Sequence, residues 1–357
     1  MDALLTPLRA CAEPTRLRLL ALAARGAFCV VDFTEILGQS QPRLSRHLKL
    51  LCDAGLLDRV REGANVWFTL APGAGLAREV LARLPGDDPV LAADRRQAAR
   101  VLAERARAAS EAFHRQGADW DEMRALGLPA AAVEAALLSL LPGDGIGRVL
   151  DVGTGTGRML ELLAPRVDAG LGVDASRAML ALARARLARP GLGHCAVRQA
   201  DMYRLPLPDR AYDLVLLHMV LHHAEDPAAA LAEAARVLAP GGRVVVVDLA
   251  EHGRDGPAAG LAHRWPGFTD PAMRDLLAGA GLRPADSLRV PGERPGSLEV
   301  RLWPALRPGH APAPDPAPAT MPGVSGTAAV HAHAPAPDSA PASDPAPTPS
   351  HAFEDAR

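Results

Sequence analysis

Lysine is almost missing from this 357-residue chain: Lys49 stands alone among 39 basic residues, and the rest are arginine. With abundant alanine, glycine and proline beside it, this reads as a GC-rich coding bias, so arginine as such carries no functional weight. An excess of one charge sign is missing too. The 39 basic and 41 acidic residues leave a formal net charge of −2, which excludes a molecule-wide positive field and confines any nucleic-acid surface to a local basic cluster. Long apolar runs are absent: Leu214–Leu217 and Val244–Val247 are strand-length, far short of the roughly 20 residues of a membrane-crossing helix. A soluble protein with no membrane partner is expected. The four cysteines, Cys11, Cys29, Cys52 and Cys195, form no closely spaced pair, which argues against a disulfide framework or a zinc ribbon. Met1 to Arg9 reads as the start of an amphipathic helix rather than a charged segment, apolar core and cleavage site. No secretion signal is therefore expected, and a reducing cytoplasm fits.

A chain of this length has room for two or three units with separate cores. Over residues 4–70, Leu17, Leu19, Leu20 and Leu22 make one apolar stripe and Phe33, Ile36 and Leu37 a second. Gly38, Gln39 and Ser40 then break the pattern. Ser40 can cap a new helix and Pro42 suits its first turn, so Leu44, Leu48 and Leu51 predict a helix over residues 41–54, ended by Gly55. Residues 57–60 and 66–70 are β-rich and flank Arg61, Glu62, Gly63, Ala64 and Asn65, which reads as a hairpin with a flexible tip. This order is that of a winged helix-turn-helix, with the hairpin as its wing. An Ala- and Arg-rich stretch over 89–116 predicts a long helix with Val101, Leu102, Ala106, Ala109 and Phe113 on one face, a connector or a dimerisation helix.

Residues 148–303 alternate strand-like with helical runs, as in an α/β domain with a largely parallel sheet. Its main strands are expected at 148–152, 170–173, 196–199, 214–217 and 243–248. The domain plan is 1–75 for the winged helix-turn-helix, 76–142 for a helical linker or dimerisation segment, 143–305 for the α/β domain and 306–357 for a tail. That Pro/Ala-rich tail has no apolar periodicity and is expected to be disordered. His331 and His333 within it would leave a metal mostly unligated and read as solvated.

In the α/β region, Val149-Leu150-Asp151-Val152-Gly153-Thr154-Gly155-Thr156-Gly157 runs a strand into a glycine-rich turn that opens a helix. Glycines at 153, 155 and 157 let backbone approach a ligand where a Cβ would collide. Alone, the turn is also compatible with a dinucleotide site, although G-x-G-x-G lacks the spacing of G-x-G-x-x-G. Four further features follow in order: Val173-Asp174 about 20 residues on, Ala200-Asp201-Met202, Tyr212 to Val215 leading to His218-Met219-Val220-Leu221-His222-His223, and Leu238-Ala239-Pro240-Gly241-Gly242. Over about 160 residues this series resembles the class I S-adenosylmethionine-dependent methyltransferases, whose domain is Rossmann-like. The resemblance implies that Gly153, Gly155 and Gly157 border the amino-acid and sulfur end of S-adenosylmethionine or S-adenosylhomocysteine, with Asp151 below them. Asp174, with Ala175 beside it, would hold the ribose; Asp201 and Met202 would flank the adenine; His218 would lie near the methyl-transfer face. The blander alternatives are solvated or capping carboxylates for Asp151 and Asp213, and helix surface for His222 and His223. No distinctive acceptor motif accompanies these residues, so catalysis is open, with His218 the one weak candidate. Arsenite methylation would need several thiolates, and only Cys195 lies in this region.

Near the N-terminus no acid falls between Glu35 and Asp53, while Arg43, Arg46, His47 and Lys49 occupy the second helix of the helix-turn-helix. Arginine can pair bidentately with guanine, and Lys49 can meet phosphate. By charge alone an ordinary solvated face is the better reading. Cys29-Val30-Val31-Asp32-Phe33, Gln39 to Leu48, Glu13-Pro14-Thr15-Arg16-Leu17 and Ala54-Gly55-Leu56-Leu57 together resemble the ArsR/SmtB winged-helix repressors. That resemblance implies homodimers on double-stranded operator DNA, with Ser40, Gln41, Arg43, Ser45, Arg46, His47 and Lys49 on the reading helix and Arg59 and Arg61 on the wing. Metal-sensing relatives carry two cysteines in the matching segment, whereas Val31 takes the second place here. A metal inducer is therefore not expected, and Cys29 reads as a small buried apolar residue.

The fusion resembles S-adenosylhomocysteine-responsive regulators of methionine-cycle genes, which implies a one-component sensor. Two competing readings stay open: an active methyltransferase of a small metabolite with an autoregulatory helix-turn-helix, and a methyltransferase fold kept only as a dimerisation unit. Trp120-Asp121-Glu122-Met123-Arg124 and His263-Arg264-Trp265-Pro266-Gly267-Phe268 read as cleft cover and interface, although Trp265 and Phe268 could equally be packing residues.

Overall fold

The computed structural model describes residues 1–62, 65–71, 73–115, 128–252, 264–292 and 298–309. Trp120 to Arg124, His263, His331 and His333, and with them the tail from 310 onward, lie outside the described residues.

Helices α1 (Asp2–Cys11) and α2 (Pro14–Ala23) open the chain. The second starts where the Glu13 carboxylate accepts the Arg16 backbone N–H at 2.8 Å and Pro14 sets the first turn. A short strand β1 (Phe28–Cys29) leads into α3 (Val30–Leu37), which stops at Gly38 in the left-handed region, φ 63°. Next comes α4 (Gln41–Asp53), burying Leu44, Leu48 and Leu51 along one stripe. Ser40 takes the N-cap backbone position, but its hydroxyl makes no capping hydrogen bond; Pro42 and the buried stripe start this helix instead. Strands β2 (Leu57–Glu62) and β3 (Asn65–Leu70) pair in antiparallel register from Leu57↔Leu70 to Glu62↔Asn65, with β1 on the far side of β3. The wing is therefore regular out to Glu62 and Asn65, further than the sequence pattern indicates.

After α5 (Gly75–Ala82), the long α6 (Pro89–Arg115) follows. Its Ala98, Val101 and Leu102 belong to the same core as Leu19, Leu44, Leu48 and Phe68. Arg18 donates from Nε and Nη2 to the Asp94 carboxylate, both at 2.7 Å. The first half of this helix thus completes the helix-turn-helix core. Ala106 and Ala109 are half-buried, and the Phe113 side chain lies outside the described residues.

The α/β region comprises α7 (Ala130–Ser139), β4 (Arg148–Val152), α8 (Arg158–Leu163), β5 (Ala169–Asp174), α9 (Arg177–Leu187), β6 (Cys195–Gln199), β7 (Tyr212–His218), α10 (Pro227–Val237), β8 (Leu238–Leu249), α11 (Asp270–Gly279), β9 (Arg283–Pro284), β10 (Leu288–Val290) and β11 (Val300–Leu306). The sheet order is β10-β11-β8-β7-β4-β5-β6, with β9 also pairing β11. Strands β8, β7, β4, β5 and β6 run parallel, and β11 is antiparallel to β8. Val244 to Val247 and Leu214 to Leu217 are buried throughout, the unbroken apolar pattern of strands covered on both faces. Strand β4 has β5 on one side and β7 on the other, so the order reverses there and its carboxyl end opens a crevice.

Strand β11 continues through Leu306, and Arg307 donates to the carbonyls of Ala235, Arg236 and Leu238. A tail beginning at 306 is therefore placed too early. The two modules are packed together: Ala185 of α9 and Ala188, which caps its end, lie against the helix-turn-helix core. A Cβ on Gly193 would sit 2.4 Å from the carbonyl oxygen of Ala24. No helix among the described residues is long and apolar enough to cross a membrane.

Candidate functional site

Strand β4 runs straight into Gly153, Gly155 and Gly157, with φ of 72°, 52° and 76°, a conformation closed to most side chains. The Gly153 and Thr154 N–H groups donate to the Val173 carbonyl at 2.8 and 2.9 Å, tying the turn to β5. Space around the three glycines differs. A Cβ on Gly153 would meet Val220 at 2.4 Å and one on Gly157 would meet Ala183 at 3.2 Å, whereas nothing lies within 4 Å of the equivalent point on Gly155. The outer two are packing glycines, and Gly155 borders open space.

Asp174, at the end of β5, accepts the Gly155 N–H at 2.9 Å on one oxygen and the Ser176 N–H at 2.7 Å on the other. Burial pushes its pKa up while those two bonds pull it down. Each oxygen keeps a further lone pair for ligand hydroxyls. Asp151 is 1% exposed. Its Oδ2 accepts the Thr154 hydroxyl at 2.6 Å, its Oδ1 has no partner, and burial pushes its pKa up to about 7. This carboxyl is neither solvated nor a cap. An orphaned buried acceptor beneath an open glycine turn fits a ligand that brings an ammonium group, and Asp174 fits one that brings a diol, so these residues could hold an adenosyl amino acid.

The other expected ligand residues gather on the same rim, at the carboxyl ends of β5, β6 and β7. The Ala200 N–H donates to the Asp174 carbonyl at 3.1 Å, which sets Asp201 and Met202 beside Asp174. Asp201 is exposed and accepts the Tyr203 N–H at 3.0 Å; Met202 is half-buried against the sheet core. Ala175 is exposed, and its carbonyl accepts Gln199 Nε2 at 3.0 Å. His218 ends β7, half-buried, and is followed by Met219 with φ 53°. A non-glycine residue there is uncommon.

His222 is not helix surface. It is fully buried, and its Nδ1 lies 2.6 Å from Oδ1 of the equally buried Asp248, whose other oxygen accepts the Leu221 N–H at 2.9 Å. The pair fastens the loop after β7 onto β8. His223 is exposed, with its ring centroid 4.1 Å from that of His222. Asp213, by contrast, does brace backbone, accepting the Arg148 N–H at 2.8 Å. Phe268 is core, while Trp265 is 40% exposed, stacks on it at 6.0 Å and donates to the Ala224 carbonyl at 2.8 Å.

On α4, Gln41, Arg43, Ser45 and Arg46 are exposed, as is Ser40 ahead of it, and neither arginine has an ion-pair partner among the described residues. Lys49 is exposed but bonded to Asp53 at 2.7 Å. His47 turns off that face: it is half-buried, 3.6 Å from the Glu13 carboxylate. Arg59 and Arg61 are exposed on β2. Cys29 is buried, and its backbone N–H donates to Asp32, which also accepts Arg105 Nη1 at 2.9 Å. Among the described residues no group of three or more His, Cys, Asp or Glu is placed to hold a metal ion.

Sequence reasoning missed Glu62. An acid at a hairpin end carries no local signal for burial, yet its carboxylate accepts two hydrogen bonds from Arg184 and one from the Gln199 backbone.

Residues 13–59 match the family of bacterial regulatory proteins described as the arsR family, and residues 150–246 match a methyltransferase domain family. The methyltransferase YcgJ of Bacillus subtilis is 35% identical over 101 residues, 28% of this chain and 40% of that protein. A demethylmenaquinone methyltransferase of Thermus thermophilus is 40% identical over 103 residues, 28% of this chain and 46% of its own length. The chain spans less than half the length of these curated relatives. A crystal structure of a SAM dependent methyltransferase from Aquifex aeolicus aligns with a TM-score of 0.44 at 22% identity, covering 53% of this chain and 99% of that one. The chain thus carries an arsR-family helix-turn-helix and, after it, a class I methyltransferase domain.

Proposed function

We propose that the chain is a DNA-binding transcription regulator whose methyltransferase domain senses S-adenosylmethionine or S-adenosylhomocysteine, working as a homodimer on operators of methionine-cycle genes. The observation that carries this reading is the open space at Gly155, bordered by Asp174 and by the unpartnered oxygen of Asp151, in a chain that also bears an arsR-family helix-turn-helix. Asp174 and Ala175 take the ribose, Asp201 and Met202 the adenine edge, and the glycine turn with Asp151 the amino-acid end. His218 borders the sulfur. Ser40, Gln41, Arg43, Ser45 and Arg46 meet DNA from α4, Arg59 and Arg61 from the wing, and His47 and Lys49 contribute less because each already has an acidic neighbour.

A second reading, methyl transfer to a small metabolite, is favoured by Met219: backbone strain on a non-glycine residue collects at catalytic sites, and this one adjoins His218. The curated relatives, being methyltransferases, favour it as well.

Calorimetric titration with each ligand, on the native protein and on Asp174→Ala, separates the readings. A sensor tuned to the thioether binds S-adenosylhomocysteine about 5- to 150-fold more tightly than the sulfonium, a difference of roughly 1–3 kcal/mol, and loses it in the variant. Equal or tighter binding of S-adenosylmethionine favours the enzyme. Binding of neither leaves the domain a structural unit and overturns both.

A further inference from the structure

The wing tip and the ligand rim are joined by a single buried joint. Glu62, the last residue of β2, is 4% exposed in its side chain, and its partner Arg184 on α9 is 6% exposed. Arg184 Nη2 donates to both Glu62 oxygens, at 2.9 and 2.7 Å, and the Gln199 backbone N–H donates to Oε1 at 2.8 Å. Behind the pair, the Arg184 guanidinium lies 3.6 Å from the ring centroid of Trp67 on β3, which has Arg105 of α6 on it at 5.7 Å. Arg105 in turn holds Asp32 at the start of α3. A continuous series of ion-pair, cation–π and hydrogen-bond contacts therefore runs from the first helix of the helix-turn-helix, through the Trp67 ring, to the edge strand β6.

At the other end stands Gln199. Its backbone meets Glu62, its side-chain amide donates to the Ala175 carbonyl at 3.0 Å, and its Oε1 accepts Arg177 Nε at 3.2 Å. In register it sits opposite Asp174 and directly precedes Ala200 and Asp201. No other ligand-rim segment among the described residues bonds so directly to the wing. Burying a carboxylate and a guanidinium this deeply is costly unless each holds its partners, so the joint tolerates little displacement before it breaks. Beside it lies a cavity of about 250 Å3 bounded by Glu62, Trp67, Arg105, Arg177 and Arg184, which gives the opened pair somewhere to go.

We propose that the Glu62–Arg184–Gln199 joint is the coupling element through which occupancy of the Asp174–Asp201 rim changes the wing and hence the affinity for DNA. The inference rests on the sensor reading above. It differs in naming a two-position element that both sites bias, as coupling requires. A closed joint masks the Glu62 charge, so the wing presents Arg59 and Arg61; an open joint sets a free carboxylate at the tip that meets DNA, against phosphate.

The test uses full-length Glu62→Gln, which keeps size and removes the charge, with Arg184→Met as an independent break. Amide hydrogen exchange is followed without ligand; S-adenosylhomocysteine binding is followed by calorimetry, and its effect on DNA affinity by fluorescence anisotropy. Both variants are expected to speed exchange at Val60 to Glu62 and at Gln199 to Asp201 at least tenfold. Ligand affinity should stay within about threefold, and the ligand should shift DNA affinity less than twofold, against more than fivefold in the native protein. Variants that bind ligand and keep the native DNA response overturn the joint. If the native protein binds no ligand, the sensor reading fails. Exchange then tells the two failures apart: unchanged protection at Gln199 to Asp201 overturns the joint itself, and joint loss on both sides leaves a mechanical link between wing and rim while overturning its coupling to a ligand.

Discussion

Gly153 and Val220 are in such close contact that a Cβ on the glycine would lie 2.4 Å from Val220 Cγ2. The turn under the ligand cleft and the loop after β7 are thereby pressed together, and Val220 belongs to the sheet core with Leu217 and Leu221. With φ 72° added to the clash, Gly153→Ala should destabilise the protein by about 2–4 kcal/mol, the sum of overpacking and left-handed strain. Val220→Ala removes the 2.4 Å contact with Cγ2 but keeps Cβ at 2.8 Å, so it relieves part of the clash and leaves the strain. Urea unfolding of the two single variants and the double should show a coupling of more than about 0.5 kcal/mol, and strictly additive losses would contradict the packing described.

Asp151 makes stability fall with rising pH. Its carboxyl has a pKa pushed up to about 7 by burial, against the ordinary aspartate value near 3.8 in the unfolded chain. Between those values the folded protein holds the proton that the unfolded chain has released. The contribution is thus complete below about pH 4 and lost as pH rises through about 7, at most about 4 kcal/mol in all. Asp151→Asn, which cannot ionise, should flatten that slope in unfolding measurements from pH 4 to 8. Saturating S-adenosylhomocysteine should flatten it too, because an ammonium at Oδ1 favours the ionised form. An identical slope in Asp151→Asn would place the titration elsewhere.

The DNA surface makes a separate prediction. Arg43 and Arg46 are exposed and free of ion pairs among the described residues, while Lys49 is bonded to Asp53. Arg46→Ala should lower the slope of log affinity against log salt by about 1 if that side chain meets phosphate. Lys49→Ala should change it by less, since its charge is already partly matched. A larger effect from Lys49 than from either arginine would reverse the assignment of the reading face.

Much of this architecture could be read from periodicity. Leu44, Leu48 and Leu51 placed α4 to within a residue of its end, and β4, β5 and β6 start within a residue of their expected positions, because local pattern and burial agree there; β7 starts two residues before its apolar run and β8, at Leu238, five residues before. Glycine spacing and the following acids picked out residues that the fold brings to the carboxyl ends of β4, β5 and β6. What escaped depended on distant partners. Glu62 is buried by Arg184, 122 residues away, and His222 by Asp248, 26 away; each looks solvated to a reader of neighbours alone. His47 turned from the open face of α4 because Glu13, the cap of α2, waits beneath it. The hydroxyl of Ser40 fits the rule for a cap and does not make the bond, which Pro42 and burial leave unnecessary.

In the sensor reading one chain links an adenosyl ligand to DNA. The most direct measurement of that link is fluorescence anisotropy of a genomic DNA fragment selected by the purified protein, titrated with the full-length chain in the presence and absence of saturating S-adenosylhomocysteine, at fixed salt. A sensor gives dissociation constants that differ at least fivefold, with the difference abolished in Asp174→Ala. Equal constants with and without ligand, in a protein shown to bind that ligand, would contradict it.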